Sequence, residues 1–185
     1  MDNTFIFVGR PGAGKGTQAK MLAEKLNAKF FGAGAALRTF AEQDTLAAQK
    51  VKEEMRAGLL VPFGIMVHIF YSIFLNLTKD EKVVLDGFAR RLVEAEMMTS
   101  ALAWLERPFT VINLTIPDEV VQARINKRKE TENRADDESV ENRLKEYEEH
   151  TAHAIKYFCE HTKVIDIDGT QSIDAIAEEI WEKIQ

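Results

Sequence analysis

Apolar positions fall into two rhythms along this chain. Runs rich in β-branched and aromatic residues occur at Thr4–Val8, Val83–Leu85, Thr110–Ile116 and Val164–Ile167, with Asn113 and Asp166 inside the last two, and a shorter one at Lys29–Phe31. Runs of this length predict strands, and Val83–Leu85, with no polar residue inside, a buried one. Between them the apolar positions spread to helical spacing. Thr17–Leu26 places Met21, Leu22 and Leu26 on one side with Ala19 and Ala23 between them, and Asn27 ends it. Small residues from Gly32 to Ala36 open a helix that delivers Arg38, and Thr45–Ala57 reads as a polar helix stopped by Gly58. Leu92–Leu105 predicts a helix whose Met97, Met98 and Trp104 fill the core. Pro117 and Asp118 start another, a proline near its first turn and an acid at its positive end. Asp136–Cys159 predicts a long helical segment turning Leu144, Tyr147 and Ile155 inward, and Ile173–Ile184 an amphipathic closing helix. Strands alternating with helices imply an α/β domain with a mostly parallel sheet covered on both faces.

One stretch, Leu59 to Leu77, contains no charged residue. Pro62 and Gly64 interrupt its start, and Gly64, His68, Ser72 and Asn76 recur at helical spacing as a polar stripe. A core helix is therefore expected there rather than a membrane span.

Composition narrows the function classes. A length of 185 residues suits one α/β domain with small insertions, and a net charge of −6 argues against nucleic-acid or membrane surfaces. With one cysteine, Cys159, there is no internal disulfide and no multi-cysteine zinc site; its surroundings suggest a helical core position. His150 and His153 share a helix face without a partnering motif and read as surface residues. No basic segment followed by an apolar one opens the sequence, so the cytoplasm is expected.

The chemistry concentrates where the first strand ends, at Gly9-Arg10-Pro11-Gly12-Ala13-Gly14-Lys15-Gly16-Thr17. Glycines let the backbone take positive φ and approach a ligand, so that successive N–H groups face one concavity. The following helix adds the positive end of its dipole, and Lys15 a full charge. The ligand expected is a polyphosphate. The residue after the lysine, normally a Ser or Thr that holds Mg²⁺, is Gly16, with a hydroxyl one residue later on Thr17. The ion is then expected to keep its waters. Asp86, at the end of a buried strand, has the placement of a carboxylate that orients a magnesium-bound water.

Further along, Arg124, Lys127, Arg128, Lys129, Arg134 and Arg143 form the densest basic cluster of an acidic chain. With Lys15, Arg38 and Arg90 they could surround two sets of phosphates. Phosphoryl transfer needs little covalent help from side chains and much positive charge aimed at the moving group.

These motifs resemble those of the adenylate kinases, within the nucleoside monophosphate kinases, over nearly the whole length. The resemblance rests on Gly9 to Gln18 as the phosphate loop, on Asp86-Gly87-Phe88-Ala89-Arg90 beside the family's Asp-Gly-Phe-Pro-Arg, and on Arg134-Ala135-Asp136-Asp137 beside its Arg-x-Asp-Asp. It implies a P-loop NTPase fold with a five-stranded parallel sheet flanked by helices. It also implies a core of 1–30, 61–125 and 135–185, a helical monophosphate-binding insertion at 31–60 and a short lid at 126–134. The implied reaction is reversible transfer of the ATP γ-phosphoryl group to a monophosphate, AMP first, with Mg²⁺ and without zinc, by a monomer. By that match Lys15, Arg90, Arg128, Arg134 and Arg143 would be catalytic. ATP would contact Gly12, Ala13, Gly14, Lys15, Gly16, Thr17, Arg124 and Arg128, with Asp86 reaching the metal through water. The acceptor would meet Ala33, Arg38, Val61, Gly87, Arg90, Glu94, Arg134 and Arg143.

The chain departs from the family at the acceptor side. Gly32-Ala33-Gly34-Ala35 stands where the family has Ser-Thr-Gly-Asp, Ala89 replaces a proline, and Glu94 replaces the glutamine that reads the base. A cis bond before Ala89 would cost about 3 kcal/mol, so trans is expected. An ionised Glu94 accepts hydrogen bonds but donates none, which suits a base edge rich in donors such as guanine or protonated cytosine. Another acceptor (CMP, UMP or GMP), or a non-catalytic ATP-binding regulatory module, are the alternatives these departures raise.

Overall fold

The computed structural model describes residues 2–132 and 140–185, with side chains as far as Asn126 in the first segment. Five strands alternate with helices: β1 (Thr4–Gly9), α1 (Lys15–Leu26), β2 (Lys29–Gly32), α2 (Ala33–Ala41), α3 (Leu46–Arg56), α4 (Phe63–Phe74) and β3 (Val83–Asp86). They continue through α5 (Leu92–Trp104), β4 (Phe109–Thr115), α6 (Asp118–Glu132), α7 (Val140–Glu146), a π-helical turn (Tyr147–Thr151), α8 (Ala152–His161), β5 (Lys163–Asp168) and α9 (Ile173–Ile184). The sheet is parallel throughout, in the order β2-β3-β1-β4-β5. The chain thus leaves β1 toward opposite edges, and the carboxyl ends of the central strands frame a crevice.

The three central strands, β3, β1 and β4, serve two cores. On one face Ile6, Val8, Val83, Leu85 and Val111 pack with Met66, Phe70, Phe74, Met98, Leu102 and Phe158. On the other, Phe5, Phe7, Val84, Ile112 and Leu114 pack with Leu22, Leu26, Val121, Ile125, Ile176 and Ile180. Burial on both faces is why these strands read as continuous apolar runs. Helix ends follow local chemistry. Asn27 closes α1 in a left-handed conformation, the Thr45 hydroxyl accepts from Ala48 N–H to start α3, and Pro62 precedes α4.

The polar stripe of α4 is borne out: Gly64, His68, Ser72 and Asn76 are all exposed, while Met66, Ile69, Phe70 and Phe74 are buried. Among the described residues no helix is long and apolar enough to cross a membrane. Two expectations are corrected. Trp104, on the last turn of α5, is 75 % exposed rather than core filler. Cys159 is helical but exposed, one step of about 100° around α8 from the fully buried Phe158. The long helix predicted at Asp136–Cys159 runs to His161 and contains the π turn.

Candidate active site

The phosphate loop is shaped by three left-handed glycines, Gly9 (φ 127°), Gly12 (φ 76°) and Gly14 (φ 91°). A Cβ on Gly9 would lie 2.1 Å from the Leu114 carbonyl oxygen, so only glycine lets β1 hold its register against β4 into the loop. Gly12 rests against α6, a Cβ there lying 3.4 Å from Ile125 and 3.7 Å from the Arg124 Cβ. Ala13 is fully buried, and its carbonyl faces Gly169 in the turn after β5. Gly14 caps α1, its carbonyl oxygen accepting from the Thr17 and Gln18 N–H groups at 3.1 Å each, so the positive end of the helix faces the loop. The Lys15 Nζ folds back to donate to the carbonyl oxygens of Gly9 (2.9 Å) and Arg10 (2.7 Å).

Asp86 ends β3 directly beside β1, in register with Phe7. A Cβ on Gly16 would sit 3.1 Å from Asp86 Oδ2. The missing side chain at 16 therefore leaves the carboxylate facing the start of α1. One hard oxygen donor without a neighbouring Gly16 hydroxyl fits a hydrated Mg²⁺ rather than a closed protein cage.

From the loop a cleft opens between α2, the segment before α4, the start of α5 and the π turn. Its walls bring together Lys15, Ala33, Val61, Gly87, Arg90, Glu94 and Arg143 of the sequence-derived set. Arg38 stands beside this wall on α2, an added Cβ on Gly34 lying 3.4 Å from its Nη1. Arg124 sits on α6 behind the loop, and its charge adds a small part to the lowering of the Asp168 pKa, which hydrogen bonds from the Thr170 N–H and hydroxyl chiefly cause. Side chains of Lys127, Arg128 and Lys129, and the whole of Arg134, Ala135, Asp136 and Asp137, lie outside the described residues.

The turn after β3 is tightly organised. Arg90 Nε donates to the Gly87 carbonyl oxygen (3.0 Å), and Arg90 N–H donates to Glu94 Oε2 (2.8 Å). Glu94, 3 % exposed, is the third residue of α5, so its carboxylate also closes the open N–H groups of a helix start. Burial raises its pKa, opposed by the Arg90 and Arg91 backbone N–H groups and by both guanidinium charges. The described residues contain no cis peptide, so the Phe88–Ala89 bond is trans as expected, and Ala89 instead takes a left-handed φ of 55°. For a buried alanine that conformation costs about 1 kcal/mol.

Several participants are absent from the sequence-derived set. Arg91 donates to the carbonyl oxygens of Val61 and Leu60 at 3.0 Å each and so holds the cleft wall. Glu146, at the end of α7, and Tyr147 and Thr151 of the π turn line the cleft, such turns being frequent at functional sites. Arg10 pairs with Asp118 and Glu148 and lies over the Tyr147 ring. The adjacent arginines at 90 and 91 were the only signal for Arg91.

Comparison with known proteins gives a consistent picture. The adenylate kinase family matches residues 7–163. The chain is similar to an adenylate kinase of Kosmotoga olearia, 33 % identical with 97 % of this chain and 98 % of that protein covered. It is also similar to adenylate kinase 1 of Synechocystis sp., 37 % identical with 96 % and 94 % covered. An adenylate kinase of Bacteroides thetaiotaomicron is 31 % identical, with 100 % and 98 % covered.

Proposed function

The chain belongs to the adenylate kinase family, a family of phosphotransferases, and on that premise we propose that it moves the γ-phosphoryl group of ATP to AMP, reversibly, giving two ADP. The observation that carries this reading is the shared cleft, where Lys15 of the phosphate loop faces Arg90, Arg143 and Glu94 across one space. Phosphoryl transfer needs two phosphates held in line with positive charge around the moving group, and this is the arrangement such a cleft can supply.

In the proposed reaction the loop N–H groups and Lys15 hold the donor's β and γ phosphates. Arg90 and Arg143 hold the acceptor phosphate, one oxygen of which attacks the γ phosphorus as its bond to the β-bridging oxygen breaks. Arg128 and Arg134 complete the charge, Arg124 lies against the donor base, and Arg38 reaches the acceptor phosphate from α2. Residues 31–60 and 126–134 act as the parts that close and exclude water. Asp86 and Thr17 are the oxygen-bearing side chains near which Mg²⁺ fits through water; when bound, the ion neutralises phosphate charge. The same reading takes the protein as a cytoplasmic monomer.

A second acceptor is favoured by one observation: the acid Glu94 lines the cleft together with Ala33, which offers no side-chain hydroxyl. A coupled assay with Mg-ATP and AMP, CMP, UMP or GMP decides between them. ADP formation strongest with AMP supports the leading reading; preference for another monophosphate transfers the assignment to that acceptor. ATP binding without turnover on any of the four defeats the kinase reading in favour of a regulatory module.

A further inference from the structure

The loop between Gly9 and Gly14 contains one long side chain, Arg10. An arginine in a phosphate loop invites the reading that it grips phosphate. Its guanidinium is instead already engaged. It pairs with Asp118 at the start of α6, donates to Glu148 Oε1 of the π turn at 2.8 Å, and stacks 5.2 Å above the centre of the Tyr147 ring. Two carboxylates more than neutralise one guanidinium, so this side chain is held as an anchor and offers little charge to a ligand.

The backbone of the same residue does something different. The Arg10 carbonyl oxygen accepts from Lys15 Nζ at 2.7 Å and from Ala13 N–H at 3.3 Å. The orientation of that carbonyl sets where the lysine charge rests. Pro11 fixes φ on the far side of this peptide, so the carbonyl turns only with the backbone angles of Arg10 itself, and the positive-φ Gly9 before it gives little resistance to such a rotation. The anchored side chain resists one.

We propose that Arg10 is a positioning residue for Lys15: its clamp on Asp118, Glu148 and Tyr147 fixes the Arg10 carbonyl and thereby the ammonium group that meets the donor phosphates. The clamp also ties the loop to the turn whose Tyr147 lines the cleft. This inference rests on the proposed role of Lys15 as a phosphate ligand, which is tested separately.

The test is steady-state kinetics on the full chain with ATP and the best monophosphate. Arg10→Ala should lower kcat about tenfold and raise the KM for ATP several-fold, because small misplacements of a charged group are costly in transfer chemistry. The KM for the monophosphate should stay within about twofold, and Arg10→Lys should recover part of kcat by keeping one ion pair. Asp118→Asn combined with Glu148→Gln, which leaves Arg10 in place, should reproduce the loss and add little to Arg10→Ala. That pair also serves if Arg10→Ala does not fold. A merely structural role would lower the melting temperature without splitting the two KM values. Wild-type kinetics in Arg10→Ala, or equal rises in both KM values, overturns the inference while Lys15→Met remains inactive. Full activity in Lys15→Met overturns the phosphate-ligand reading itself.

Discussion

Glu94 meets opposed demands in one side chain. Its position at the start of α5 favours a carboxylate, which accepts the Arg90 N–H and complements the positive helix end. Its near-complete burial disfavours the charge, and burial is the larger influence, raising the pKa above that of a free glutamate. Between the ordinary glutamate value and this raised one, the folded chain binds more protons than the unfolded chain. Stability associated with Glu94 is therefore present at acid pH and is lost as pH rises through that window. Glu94→Gln keeps an oxygen for the Arg90 N–H and removes the titration. Its melting temperature should exceed that of the parent at pH 8, with the gain shrinking toward pH 4. Thermal melts across pH check this, and a gain that does not vary with pH would show that ionisation is not the cause.

At the scale of elements, the sheet is tied at its amino end by Arg107, in the link from α5 to β4. The guanidinium donates to Thr4 Oγ1 (2.8 Å) and to the carbonyl oxygens of Thr78 (3.1 Å), Asn3 (3.2 Å) and Glu81. It is 7 % exposed, and the Glu81 carboxylate is itself paired with Lys29 at 2.5 Å. Arg107→Ala leaves these oxygens without their donor and should cost about 3 kcal/mol in urea unfolding, with lysine recovering only part. Since the candidate active site lies at the opposite ends of the strands, kcat at 25 °C should change by less than about twofold. Such a strut could not be read from the chain, because its acceptors are backbone oxygens gathered by topology. What could be read was local. Two-sided burial made the three central strands apolar runs, and Gly58 and Pro62 marked the limits of helices. The loop glycines, Lys15 and the Asp86–Arg90 turn were equally legible, each motif being contiguous. Arg10 was not, because its partners lie at 118 and 148. The π turn leaves no mark in composition. Trp104 and Cys159 misled because apolar character permits burial without compelling it.

Over the whole molecule, the side of the cleft proposed to take the acceptor is assembled from chain segments far apart in sequence, and one contact joins two of them. Asn142 Nδ2 donates to the Ala57 carbonyl oxygen at 2.8 Å, linking α7, which carries Arg143, to the residue that caps α3. Arg91 holds the next few residues, Leu60 and Val61, from α5's side. The insertion proposed to take the monophosphate is thus fastened at its exit to both walls of the core. Loosening one fastening should weaken acceptor binding more than donor binding, since the phosphate loop is anchored elsewhere, through Arg10 and α6. Asn142→Asp keeps the side chain's size and removes the donor. The loss of about 1 kcal/mol for one hydrogen bond corresponds to a KM for the monophosphate raised about fivefold. The KM for ATP should stay near its parent value. Varying each substrate at saturating levels of the other separates the two. An equal rise in both would mean that Asn142 supports the cleft as a unit, and a rise confined to ATP would place α7 on the donor side.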